Sequence, residues 1–276
     1  MKVDNCYICG SREHSFFAEE NGFRLVKCKG CGLLFVADRP DDSEISKARM
    51  QGIHGGIKKI DTTGSFNPGK IVRYSMVLKE LFGNDLKNKK TWLDIGCGYG
   101  EFMEAVKSYG SGVSIKGTEP NIRKRESAVE RGLNVEFFDI EGHKEKYDVV
   151  SMLNVYSHLP DPPEFINTLK SILKPEGELI LETGDTANFS ARDHCRPFYL
   201  PDHLSFASEG IIRRLLEKLG FKILSIKKYP LVRFSLSGLL KELARAIATG
   251  SKSRIRCYLN AKKYSRVDMF IRARLT

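Results

Sequence analysis

The sequence lacks any long apolar run. No stretch of its 276 residues approaches the roughly 18 apolar residues that cross a bilayer, so no membrane-spanning helix is expected. The opening residues, MKVDNCYICG, hold no apolar signal core, which predicts a cytoplasmic protein. Acid is scarce at the other end. From Lys222 to Thr276 there are 14 Lys and Arg against two acids, Glu242 and Asp268, a net of +12 that leaves −1 for the rest of a +11 chain. A basic stretch of this kind meets nucleic acid, an anionic membrane surface or a phosphorylated substrate, unless it is simply a solvated face. Neither CxxC pair in the sequence is surrounded by the βαβ pattern of a redox dithiol, which argues against disulfide exchange.

What the cysteines do offer is spacing. Cys6 and Cys9 lie in CYICGS, Cys28 and Cys31 in CKGCGL, with eighteen residues between the pairs. Each knuckle turns two thiolates toward one point, and two knuckles make the tetrahedral four-sulfur site of structural zinc. Such a site has no open position and should not catalyse; it lets a segment with little core fold. Residues 1–38 are therefore expected to be a zinc ribbon. Residues 39–69 are polar and glycine-rich and read as a linker or mobile loop in which His54 is solvated. The spacing of Ile71, Val72, Met76, Val77, Leu78 and Leu81, between Pro68 and Gly83, predicts a helix.

From Thr91 strands and helices alternate. Strands are expected at 91–95, 113–118, 134–138, 148–153, 177–183, 221–229 and 267–274, and helices at 101–109, 121–131, 162–173 and 208–219. Asp161 can cap a helix with Pro162 in its first turn, and Gly220 follows the end of another. Alternation predicts a doubly wound α/β sheet that binds ligands beyond the carboxyl ends of its strands.

The first of those strands ends in the turn DIGCGYGEF. Gly96, Gly98 and Gly100 read G-x-G-x-G, not the dinucleotide G-x-G-x-x-G. Asp94, just before, suits a cation better than a pyrophosphate. Glu119 ends the next strand, where a carboxylate can accept from two ribose hydroxyls. Asp139 ends the third, placed for an adenine amino group. A cationic nucleoside without phosphate fits this set.

These motifs, LDIGCGYGEF, KGTEPN, YDVVSMLNVYSHLPDP and LKPEGELILET, resemble in order those of class I S-adenosylmethionine-dependent methyltransferases. The resemblance covers about residues 70–276. It implies a Rossmann-like, doubly wound seven-stranded methyltransferase sheet behind the small zinc ribbon; helical spacing followed by basic residues adds a basic helical insertion at about 234–265. It also implies S-adenosyl-L-methionine as cofactor: Gly96 and Gly98 against its methionine part, Glu119 on the ribose, Pro120 and Asn121 flanking the adenine, Asp139 at its amino group and Asn154 lining the methionine end. Glu176 stands where the family often has glycine. The CxxCG knuckles and PDHLSF…IIRRLLEKLGF resemble bacterial enzymes acting on nucleotide-linked sugars and surface glycans. Some of these carry a Tyr-x-Glu-His stretch; here FYLPDHL offers Asp202-His203, with Leu200 in the tyrosine position and Tyr199 one residue off.

The acceptor is thus expected to be a nucleotide- or lipid-linked sugar or a related small molecule, methylated on oxygen or carbon. A hydroxyl acceptor needs a base, and histidine titrates near neutrality. His203 is the first candidate, His158 the second and His194 the third; an equally plain role for His158 is to order the loop before Pro160. Tyr199 and Tyr156 are candidates to orient a sugar, with a buried core role as the alternative. Leu236, Leu239, Leu240, Leu243 and Ile247 share one helical face, either covering the chain's own core or, with Lys252, Arg254, Arg256, Lys262 and Lys263, lying on an anionic membrane or clamping a diphosphate. The rival expectation is an RNA methyltransferase, for which a zinc ribbon plus a basic tail is a reasonable layout. Against it, the Asn-Pro-Pro-Tyr loop of many base-amine methyltransferases is missing, and aromatics do not interleave with the basic residues of the ribbon.

Overall fold

The computed structural model describes residues 1–276 except 89, 111, 138–139, 141–142, 195, 231–235, 250–254 and 256–262. Asp139, Lys252, Arg254, Arg256 and Lys262 lie outside the described residues. So does most of the stretch that links the last helix to the last strand.

Three antiparallel strands, β1 (His14–Glu20), β2 (Phe23–Cys28) and β3 (Leu34–Val36), follow the first knuckle. Asn21 and Gly22, with φ of 56° and 85°, make the turn between the first two, a left-handed pair that suits a tight hairpin. The segment expected as a linker then departs from expectation. It holds α1 (Asp42–Gln51) and a small hairpin of β4 (Ile53–His54) and β5 (Ile60–Asp61). The cause of α1 is local. Asp41 and Glu44 form a reciprocal capping box, and Gly52 closes the far end at φ 71°, so both sets of orphan backbone groups find partners. Its one buried residue is Ile45, too little for an apolar stripe to show in the sequence.

α2 (Pro68–Phe82) starts with Asn67 as cap and proline in the first turn. The alternating region follows as β6 (Thr91–Ile95), α3 (Glu101–Tyr109), β7 (Ser114–Thr118), α4 (Ile122–Glu130), β8 (Val135–Glu136), β9 (Tyr147–Leu153), α5 (Pro162–Leu169) and β10 (Leu173–Gly184). Then come β11 (Ser205–Phe206), α6 (Glu209–Lys218), β12 (Phe221–Tyr229), α7 (Leu236–Thr249) and β13 (Asp268–Leu275). The third expected strand shortens to two described residues, and the helix expected to reach 173 stops at Leu169 because β10 begins at Leu173.

Seven strands form one sheet in the order β12-β13-β10-β9-β6-β7-β8. β13 runs antiparallel to both neighbours, while the β10-β9-β6-β7-β8 pairs are parallel. The order reverses between β6 and β9, which opens a crevice at their carboxyl ends. Strand residues alternate between two faces. One face packs Leu93, Ile95, Leu179 and Leu181; the other packs Trp92, Ile180 and Phe270 against α2 and α3.

A second sheet has the order β1-β2-β3-β11. Its fourth strand comes from the loop after β10, with Ser205 opposite Phe35 and Phe206 opposite Leu34. The N-terminal strands are thus stitched to the loop that follows the carboxyl end of β10. α7 does not cover a core along its expected stripe: Leu236, Leu240, Leu243 and Ile247 are exposed. No helix among the described residues is long and apolar enough to cross a membrane.

Candidate functional site

The glycine turn after β6 is built around three left-handed residues, Gly96, Gly98 and Gly100. A Cβ on Gly96 would meet Val155 at 2.6 Å, so that position tolerates no side chain. At Gly98 a Cβ would meet nothing within 4 Å: the backbone here faces open space, a cradle that a ligand can approach closely. Glu119, buried at the end of β7, ties the turn down. Its Oε2 accepts the N–H of Gly98 at 2.7 Å and its Oε1 that of Asn121 at 2.8 Å. Burial raises its pKa, and those backbone N–H groups and nearby Lys124 and Arg125 pull the other way. Each carboxylate oxygen has a second lone pair for a ligand hydroxyl.

Asn121 caps α4 by accepting the N–H of Lys124 at 3.0 Å, and its amide donates to the Arg49 carbonyl at 3.3 Å. α1 therefore lies beside the expected adenine end. The segment that follows it crosses the glycine turn, where Tyr99 Oη donates to the Gly64 carbonyl at 3.0 Å. Asp94 is 2% exposed, accepts from Ser151 Oγ at 2.5 Å and is pushed by burial up to about 7. Asn154 follows β9 at φ 56°, and its N–H donates to the Glu182 carbonyl at 3.2 Å. Pro120 lies between Glu119 and the cap Asn121.

A second cluster adjoins the first. His158 closes a short 3-10 turn after β9, and its Nδ1 lies 2.9 Å from the Asp202 carbonyl and 3.0 Å from Asp202 Oδ1. A carbonyl and a carboxylate only accept, so Nδ1 is the protonated nitrogen and the lone pair is on Nε2. His54 Nε2 lies 3.0 Å from the same Oδ1. Burial works to raise the Asp202 pKa, yet His158, His203 and His54 together hold it well below the usual carboxylate range. His203 donates from Nδ1 to the Phe198 carbonyl at 2.9 Å, which also leaves its Nε2 free. Burial, then neighbouring His158, push its pKa down to about 4. The two rings are 4.7 Å apart at their centroids, and Tyr199 stands 6.1 Å from His203.

The remaining candidates lie elsewhere. His194 packs edge-on or tilted against Phe17, Phe189, Phe198 and Phe206, an aromatic core position. Tyr156 is fully buried and is a core residue, not a sugar platform. His54, read from the sequence as solvated, is buried with a carboxylate partner; nothing in its polar, glycine-rich surroundings signals this. The sequence also gave no sign of Glu20, whose carboxylate accepts the N–H groups of Phe198 at 2.9 Å and of Tyr199 at 2.7 Å.

At the N-terminus Cys6 Sγ lies 3.5 Å from Cys31 Sγ, and Cys9 Sγ 3.5 Å from Cys28 Sγ. All four sulfurs fall within 4.8 Å of one another. Tetrahedral zinc with bonds of about 2.3 Å needs sulfurs about 3.8 Å apart, so the set fits that ion. The hydrogen bond between Cys6 and Cys31 lowers the pKa of the first and raises that of the second, so these two thiols share one proton without a metal.

A methyltransferase-domain family model matches residues 71–226. A ubiquinone biosynthesis O-methyltransferase of Actinobacillus pleuropneumoniae is 34% identical over 138 residues, 45% of this chain and 58% of that protein. One from Salmonella paratyphi A is 30% identical over 161 residues, 54% of this chain and 63% of its own. The chain thus spans about 58% to 63% of the length of these curated relatives. Among solved structures, an S-adenosylmethionine-dependent methyltransferase from Archaeoglobus fulgidus aligns with TM-score 0.51 at 20% identity, covering 74% of this chain and 94% of that one. Geranyl diphosphate C-methyltransferase from Streptomyces coelicolor A3(2) aligns at 0.53 and 14%, covering 74% and 80%; these two likenesses concern the fold.

Proposed function

We propose that this chain, which belongs to the methyltransferase-domain family, is an S-adenosylmethionine-dependent methyltransferase that methylates a hydroxyl of a sugar or related small molecule, with His158 as base. The observation that carries this reading is the Asp202 carboxylate behind His158 Nδ1 at 3.0 Å.

When bound, the cofactor would supply a methyl group on a sulfonium, with a neutral thioether as the leaving group. Gly96 and Gly98 would lie along the methionine part and Glu119 under the ribose. Asn121 and Pro120 would flank the adenine, and Asn154 the methionine end. The open side of Gly98 and the two free lone pairs of Glu119 fit such a ligand. His158 takes the acceptor proton on Nε2, and the imidazolium so formed stays paired with Asp202, which also fixes the tautomer. His203 is less suited to keep a proton, since burial has pushed it to about 4 and its partner is a neutral carbonyl. It and Tyr199 are proposed to position the acceptor.

Zinc is proposed for Cys6, Cys9, Cys28 and Cys31, as a structural ion that shapes the N-terminal strands. The acceptor's sugar character rests on the resemblance of the knuckles and the Asp202-His203 stretch to glycan-modifying enzymes. The ubiquinone relatives favour a second reading, in which the hydroxyl belongs to a phenolic precursor; both need the same base. The test is transfer of labelled methyl from the cofactor to nucleotide-sugar pools, phenolic acids and structured RNA. Label in sugars supports the proposal. Label in phenols alone replaces the substrate class, and label in RNA alone overturns the small-molecule reading.

A further inference from the structure

The glycine turn and the dyad leave one buried acid unexplained. β10 pairs with β9 in parallel, Ile180 opposite Ser151 and Glu182 opposite Leu153. β6 pairs with the other edge of β9, Asp94 opposite Ser151 and Ile95 opposite Met152. Alternation therefore puts Glu182 on the Ile180 and Phe270 face, the face of Trp92 and Asp94 that α2 and α3 cover. Glu182 is one rung nearer the carboxyl ends than Asp94, level with the turn, and its carbonyl holds the N–H of Asn154.

Its side chain is unpaired where it should not be. Glu182 is 8% exposed, and its Oε2 is out of solvent with no hydrogen-bond partner. The charged groups that face it are Lys70 and Arg73 of α2, with Asp94, Glu101 and the Tyr74 hydroxyl around the same space. Both cations have other partners: Arg73 pairs with Asp268, and Lys70 Nζ is 4.0 Å from Glu101 Oε1. Burial pushes Glu182 up to about 7, as it does Asp94. A buried carboxylate with a vacant oxygen is stabilised by a cation that can donate hydrogen bonds, and a neutral acceptor molecule would not offset its charge. Asp94 already accepts from Ser151; Glu182 is the one with an oxygen to offer.

We propose that Glu182 is a cofactor-binding residue whose Oε2 accepts a hydrogen bond from the α-ammonium group of the S-adenosylmethionine methionine part. The assignment rests on the methyltransferase reading. It gives the amino-acid end of the cofactor a charged partner on β10, beyond the glycine turn and Asn154.

Calorimetry on the full chain tests this with three ligands. S-adenosylhomocysteine keeps the ammonium and lacks the sulfonium; methylthioadenosine lacks both. Glu182→Gln should weaken S-adenosylhomocysteine about tenfold or more, as loss of a charged hydrogen bond implies, and leave methylthioadenosine within about twofold. Binding of S-adenosylhomocysteine at pH 7 should also release fewer protons from Glu182→Gln than from the native chain, read from buffers of different ionisation enthalpy. Equal weakening of both ligands would show a structural role and overturn the proposal. Weakening of S-adenosylmethionine with S-adenosylhomocysteine unchanged would overturn it too, placing Glu182 at the sulfonium. A native chain that binds none of the three would instead sink the methyltransferase reading.

Discussion

His54 Nε2 lies 3.0 Å from Asp202 Oδ1, so a buried residue of the segment between the cysteine module and α2 stands directly against the carboxylate that backs the proposed base. The same oxygen serves His158. Asp202 thus lies between two imidazoles and, ionised, accepts the N–H of His158.

Asp202→Asn keeps the shape and removes the charge. Turnover should fall about 10²–10⁴-fold, the usual worth of a general base and its orienting group, with cofactor affinity within about twofold. His158→Ala should match it, and His203→Ala should cost less. Initial rates with labelled cofactor, beside calorimetry, check this; His203→Ala as the more damaging change would move the base to His203.

Glu119→Ala removes the anchor of Gly98 and Asn121 together with the expected ribose acceptor. At about 1.5–3 kcal/mol for each charged hydrogen bond, S-adenosylhomocysteine affinity should drop at least tenfold. Calorimetry showing unchanged affinity would end the ribose assignment.

The metal prediction concerns the four cysteines. Purified protein should carry about one zinc per chain, and Cys28→Ser should lose it. Elemental analysis reads the metal. Because β3 pairs with β11 beside Asp202 and His203, metal loss should lower turnover more than cofactor affinity.

The stability prediction concerns His194. Burial holds its pKa near 4 against an ordinary 6.5. Between those values the unfolded chain binds the proton and the folded chain does not. Its contribution is therefore complete above about pH 6.5 and is lost as pH falls toward 4, by up to about 3 kcal/mol. His194→Phe fits the surrounding phenylalanines and removes this titration. Denaturant midpoints at pH 7.5 and 5 should differ less in the variant than in the native chain.

Gly52→Ala tests the segment 39–69. At φ 71° the added Cβ would lie 2.4 Å from Thr63 Oγ1 and 2.7 Å from Asn121 Nδ2. The expected result is weaker cofactor binding through a displaced Asn121, read by calorimetry with the melting temperature as a control on folding.

Much of this was legible in the residues. The alternating strands and helices after Thr91 carry strong periodicities, and the glycine turn with Glu119 carries its own chemistry. The segment 39–69 was not legible because its helix has almost no apolar face and rests on a capping box, for which Asp41 and Glu44 stand at the right spacing. His54 and Glu20 act only through partners far along the chain, which no local pattern encodes. Glu182 reads as one more polar position in a strand until the sheet register shows which face it takes. The α7 stripe misled in the opposite direction, since an amphipathic pattern states that a face is apolar and not what covers it.

The shared sheet of β1, β2, β3 and β11 has a practical consequence for anyone reshaping this enzyme. Glu20 and Phe198 are 178 positions apart, yet the first sets where the second hangs. The proposed acceptor loop and the cysteine module are therefore held together as one unit. A chimera that imports residues 197–206 from another enzyme while keeping this N-terminus should lose both hosts' selectivity. One that carries the two pieces together should inherit the donor's.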